Sequence, residues 1–117
     1  MLPPAHRLTD AETFRRASRS GRRSSSRTLV VHLAALESSG HAEPRVGFVV
    51  SKAVGNSVVR NRVKRRLRHL ARTRVGTLPA SSALVVRALP AAAAASSVEL
   101  AADLDRCLGR LQPRDLA

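Results

Sequence analysis

The chain has 117 residues, 44% of them apolar but only 2% aromatic, and carries a formal net charge of +13. That length suits one domain with a modest core of Val, Leu and Ala, and that charge excludes cationic partners in favour of polyanions. Its one cysteine, Cys107, excludes a disulfide framework or a cysteine metal cluster, and no apolar run reaches transmembrane length or marks a secretory signal. The expected setting is therefore the cytoplasm, with no membrane partner.

Residues 1–8, with Pro3 and Pro4, read as a flexible arm, 9–112 as the folded domain and 113–117 as a tail. Thr9 and Glu12 have capping-box spacing and predict a helix over 10–20 that stops at Gly21, with Phe14 and Ala17 on one face. Residues 22–27 read as a Ser/Arg loop. Alternation predicts a strand over 27–36, with Leu29, Val31 and Leu33 on one side and Val30, His32 and Ala34 on the other. After a polar turn from Glu37 to Pro44, a second strand is predicted over 45–51, with Val46, Phe48 and Val50 on one face. These two strands are expected to pair as a hairpin, with a further short strand possible near Val49–Ala53.

Gly55 and Asn56 break the chain, and Asn56 or Ser57 can cap a helix over 57–74. Val59, Val63, Leu67 and Leu70 form its apolar stripe, while Asn61, Lys64, Arg65, Arg68 and Arg72 gather on the opposite side. Arg62 and Arg66 flank the stripe, and Arg66 is expected to bury its stem and send its head to water. An apolar strand over 83–89 carries Arg87, and Pro90 with an alanine run follows as a connector. Ser96 and Glu99 repeat the capping-box spacing and start a last helix to Leu111. Leu100, Leu104, Cys107, Leu108 and Leu111 are its expected buried face, with Glu99, Asp103, Asp105, Arg106 and Arg110 exposed. The expected fold is α+β, a single-domain sandwich of a small mixed sheet with helices packed on it, in the order α-β-β-(β)-α-β-α.

No self-contained active site is legible. His6, His32, His41 and His69 are scattered, Cys107 sits on an apolar helix face, and Asp103 and Asp105 lie on different sides of a helix. Gly47, Gly55 and Gly76 are isolated and make no phosphate loop. The basic run of the central helix is different: Arg60, Arg62, Lys64, Arg65, Arg66 and Arg68 have no Asp or Glu anywhere between Glu43 and Glu99 to balance them. Like charges three and four apart repel on a helix, so folding alone does not favour the run. A surface built for solubility mixes signs, and a membrane-surface helix needs bulkier anchors than Val59 and Val63. Nucleic acid is the polyanion that fits, with Asn61 able to bond phosphate, ribose or base. A helix-turn-helix DNA binder would need a short helix just before the basic one, where a strand and Gly55-Asn56 stand instead. A ribosomal or other structural RNA-binding protein shares the composition.

The segment Val46-Gly-Phe-Val-Val-Ser-Lys52, then Gly55-Asn56, then Arg60-Asn61-Arg62-Val63-Lys64-Arg65, resembles the protein component of bacterial ribonuclease P. Arg7-Leu8 with Phe14 and Gly21, and Leu84-Val85-Val86-Arg87, extend the resemblance over most of the chain. It implies a subunit of an endoribonuclease whose catalytic RNA cuts precursor tRNA to make the mature 5′ end, with Mg²⁺ bound mainly by the RNA and the substrate. The protein would itself hold no catalytic residue, and about one copy would serve each catalytic RNA. It would bind that RNA and the single-stranded 5′ leader of the precursor, the leader in a cleft between the first helix and the sheet. The resemblance also implies a left-handed crossover around the motif helix, of a ribosomal-protein type, against the usual handedness.

Carried over position by position, Lys52, Asn56, Arg60, Asn61, Arg62, Lys64, Arg65 and Arg68 would face the catalytic RNA. Phe14 would floor the leader cleft, Arg15, Arg16, Arg27 and Arg87 would neutralise leader phosphates, and His32 would stand where the family often has tyrosine. Val46, Phe48 and Val50, or their neighbours on the opposite face, would line the sheet behind the leader. Ser18 stands where a second aromatic is common, and Ala53 where a second lysine follows Lys52. With fewer rings to stack on, leader binding should lean more on arginine.

Overall fold

The computed structural model describes residues 22–35, 44–78 and 82–111. The expected arm, the expected helix over 10–20 with Phe14, Arg15, Arg16 and Ser18, and the tail lie outside them. Four strands and two helices follow in chain order: β1 (Arg22–Ser25), β2 (Leu29–Ala35), β3 (Arg45–Val49), α1 (Ser57–Arg74), β4 (Ser82–Ala88) and α2 (Ser97–Leu111). Short 3₁₀ turns, Val75–Thr77 and Pro90–Ala93, lead into β4 and α2. The fold is the expected small α+β type, a mixed sheet with helices packed on it.

The sheet order is β1-β2-β4-β3, with β1 and β4 antiparallel to β2 and β3 parallel to β4. This corrects the expected hairpin: β2 and β3 are not neighbours, because β4 lies between them. β4 is buried on both faces apart from Arg87, so a position between two strands is the one that hides its apolar residues. A parallel β3–β4 pair needs a crossover connection, which α1 supplies.

Two further expectations fail. Residues 22–25 form a strand, although Arg-Arg-Ser-Ser carries little β-propensity; Ser24 is buried and the segment pairs in register with Val30 to Leu33. The short strand near Val49–Ala53 does not form, since the chain turns there through Val54 N–H to Ser51 C=O (3.1 Å) and Gly55 N–H to Lys52 C=O (3.2 Å).

Leu29, Val31, Leu33, Val46, Leu84, Val86 and Ala88 share one sheet face and meet Val63, Leu67 and Ala71 of α1 and the apolar side of α2. Leu100, Leu104, Cys107, Leu108 and Leu111 are all buried, as expected. Phe48 and Val50 pack against the same cluster. The opposite face holds a smaller cluster, Ala83 and Val85 with Ala34 and Val49 beside them.

Asp103 is the exception on α2. It was expected in solvent, but it is 8% exposed, because the turn between β1 and β2 docks over it. The capping box is present: Glu99 N–H donates to Ser96 Oγ (3.1 Å), and Ser96 N–H donates to Glu99 Oε1 (2.9 Å).

Candidate nucleic-acid interface

The basic helix is launched by a short sequence with little freedom. Gly55 holds φ at +157°, and a Cβ there would lie 2.9 Å from Cγ1 of Val59. Asn56 follows in extended conformation and caps the helix, its Oδ1 accepting from Val59 N–H at 3.0 Å. The side-chain oxygen of Asn56 is thus committed to starting α1. Lys52 is exposed in the turn just before it.

Val63, Leu67 and Ala71 are the buried residues of α1, with Val59 and Leu70 partly covered. Ala71 belongs to the stripe although its small side chain gave the sequence pattern little weight. On the far side Asn61, Arg65, Arg68 and Arg72 are exposed and Lys64 is half-buried. Among the described residues, no hydrogen bond or ion pair occupies the side chains of these five. His69, also exposed, lies at the margin of the same surface.

Other cations of the helix have acceptors within the protein, some of them still exposed. Arg66 donates to the carbonyl of Ala95 at 3.0 Å, and Arg62 to that of Ala93 at 3.4 Å. The head of Arg66 therefore does not run out to water as expected, because unpaired carbonyls lie within its reach. Arg74 pairs with Asp105 of α2, Nη2 to Oδ2 at 3.0 Å, and this bond holds the Asp105 carboxyl below the usual carboxylate range. Arg60 is half-buried, its Nε buried with no partner among the described residues and its Nη2 3.4 Å from Ser57 Oγ.

A second cationic surface lies on the sheet face opposite the one that meets α1 and α2. His32 is almost wholly buried, with Arg23 directly across on β1 and Val85 across on β4. Arg87, two pairs along and so on the same face, stands opposite Val30 and is exposed. Burial first, then the charges of Arg23 and Arg87, pull the His32 pKa below its ordinary value and favour the neutral imidazole; among the described residues its Nδ1 has no hydrogen-bond partner. Arg27, expected near this surface, instead pairs with Glu99 of α2 at 2.9 Å. Arg23 escaped sequence reasoning because its segment read as a loop; its place opposite His32 follows from strand pairing.

Among the described residues, no three His, Cys, Asp or Glu side chains come together to hold a metal ion, and no helix is long and apolar enough to cross a membrane.

Fold and site together define a small α+β protein that displays one cation-lined helix. The ribonuclease P family model matches residues 2–112, and the chain is 63% identical over 111 residues to the ribonuclease P protein component of a Nocardioides species, covering 95% of each. The chain belongs to the ribonuclease P protein family. Its place is with the RNA of bacterial ribonuclease P, a tRNA-processing endonuclease. The fold agrees: the Staphylococcus aureus RNase P protein superposes with a TM-score of 0.80 at 24% identity, over 90% of this chain and 94% of that one. The Thermotoga maritima RNase P protein superposes with a TM-score of 0.77 at 22% identity, over 92% and 98%.

Proposed function

We propose that α1 binds the catalytic RNA of ribonuclease P through Asn61, Lys64, Arg65 and Arg68, with Lys52 at its entrance, and that the second sheet face receives the 5′ leader of precursor tRNA. The observation that carries this reading is the single-sign outer face of α1, whose cations have no partner among the described residues. Arginine forks suit phosphate oxygens, and Asn61 between them can donate and accept at once. Since Val46 and Phe48 pack into the helix-side core, the surface for the leader is the opposite one, with His32 and Arg87 from the family resemblance and Arg23 added by strand pairing. His32, buried beneath this face, leaves the charge to the exposed Arg23 and Arg87, which can neutralise phosphates and stack on bases.

In this reading the protein cuts nothing. It binds, orients and neutralises, and the cleavage chemistry and its Mg²⁺ stay with the RNA and substrate. One protein serves one catalytic RNA in the cytoplasm. The deciding experiment is reconstitution with ribonuclease P RNA and precursor tRNA at low Mg²⁺. The protein should increase correct 5′ cleavage over RNA alone; no gain would remove the proposal.

A further inference from the structure

We infer that Arg66, helped by Arg62 one turn earlier, is a positioning residue: it latches α1 to the alanine connector and so sets which way the RNA-facing side chains point. The inference rests on the reading of α1 as the RNA-binding helix. On this inference the arginines of one basic helix, with no acidic residue among them, have two jobs.

The connector explains why an arginine is wanted there. Pro90–Ala93 is a short 3₁₀ turn and α2 begins at Ser97, so the carbonyls of Ala93 and Ala95 lie between one helix end and the next helix start. Carbonyls outside a helix or strand ladder lack regular backbone partners and take a donor from elsewhere. The alanine run has no polar side chain to satisfy them. Arg66 meets the Ala95 carbonyl at 3.0 Å in a partly buried setting, and Arg62 approaches that of Ala93 at 3.4 Å. Ala92 and Ala95 are themselves buried in the core, so the latch is fastened to a fixed point.

The apolar stripe explains why a latch matters. α1 rests on the buried Val63, Leu67 and Ala71, with Val59 and Leu70 partly covered beside them, an aliphatic stripe with no aromatic in it. A stripe of that kind resists removal of the helix from the sheet but only weakly resists its rotation or sliding. Two directional bonds four residues apart, on the flank of the stripe, remove that freedom. At about 100° per residue, Arg62 and Arg66 lie on the side away from Lys64 and Arg68. They can therefore grip the connector while the outer face stays open.

The test is an RNA-binding titration of the full-length chain with ribonuclease P RNA across a range of salt, at a temperature where circular dichroism shows each variant folded. Arg66→Met keeps the apolar stem and removes the donor. It should weaken binding about two- to tenfold, the weight of one hydrogen bond, along a line parallel to that of the unmutated protein. Arg66→Lys should recover part of the loss. Arg65→Ala, by contrast, should flatten the slope of log affinity against log salt by about 0.7–0.9, one phosphate contact. If Arg66→Met flattens the slope as Arg65→Ala does, Arg66 touches RNA and the latch is wrong. If folded Arg66→Met binds as tightly as the unmutated protein, the contact is mere scaffold and the latch is equally wrong. Should Arg66→Met fail to fold, Arg66→Gln, with a neutral donor, is read by the same two criteria. Absence of binding by the unmutated protein would instead sink the functional reading, and the latch with it.

Discussion

Thr28, wholly buried at the turn between β1 and β2, gives both of its donors to one carboxylate oxygen of Asp103 on α2: its hydroxyl at 2.5 Å and its backbone N–H at 3.3 Å. Ser26 closes the same turn, its N–H reaching the Leu29 carbonyl at 2.8 Å. The side of α2 that helical periodicity assigns to solvent is therefore where the first hairpin is tied down. Arg27–Glu99, Arg110 to the Ser25 carbonyl and Arg22 to the Leu111 carbonyl extend the tie along the helix.

Asp103→Ala should destabilise the fold by about 2–3 kcal/mol, since two buried donors of Thr28 would lose a charged acceptor. For a domain of this size, that is a fall in Tm of roughly 10 °C or more. A thermal melt checks it. RNA affinity measured well below the melt should change little, because α1 does not touch this tie.

Stability should fall in two stages on acidification. Burial and the neighbouring Arg23 and Arg87 depress the His32 pKa, so the unfolded chain takes up a proton first; stability is complete above about pH 6.5 and declines as pH falls toward the folded value. Asp103 is lowered chiefly by the Thr28 hydroxyl and Asp105 by Arg74, so their contributions persist above about pH 4 and are lost below it. Melts across this range should show both stages, and His32→Gln should erase the upper one alone. An upper stage that survives in His32→Gln would assign it to another group.

Gly55→Ala should cost about 1–3 kcal/mol, through both its φ of +157° and the contact with Val59. Gly76→Ala is the control: nothing lies within 4 Å of a Cβ there, and its stability should stay within about 0.5 kcal/mol of the parent. Denaturant midpoints of the two variants separate these expectations.

Arg68→Ala and Arg74→Ala should behave as opposites. Arg68 is exposed and unpaired among the described residues, so its loss should leave the melt unchanged and flatten the salt dependence of RNA binding. Arg74 is bonded to Asp105 and to the Leu70 carbonyl, so its loss should lower stability by about 0.5–1 kcal/mol and leave the salt slope intact. Melts and salt titrations on the same two variants check both.

The basic helix was legible to its last residue because its signals are local: a break at Gly55, a cap at Asn56 and an apolar repeat at 3.6-residue spacing. The same holds for α2, where the capping box and the leucine spacing name the start and the buried face. Pairing was not legible. Strands 45–49 and 82–88 are 37 residues apart at their starts, and no local feature says that the second inserts between 29–35 and 45–49. Arg22–Ser25 was invisible as a strand because its partner, rather than its own side chains, makes it one.

A helix with unbalanced positive charge, and the motif that identifies the family, are readable from residue type and short-range spacing alone. Which cations are spoken for depends on the packed fold. Arg62, Arg66 and Arg74 find acceptors on the alanine connector and on α2, while Arg65 and Arg68 find none among the described residues. An arginine's partner is set by what the fold brings within reach of its head, at the end of a long flexible side chain, and periodicity does not extend that far.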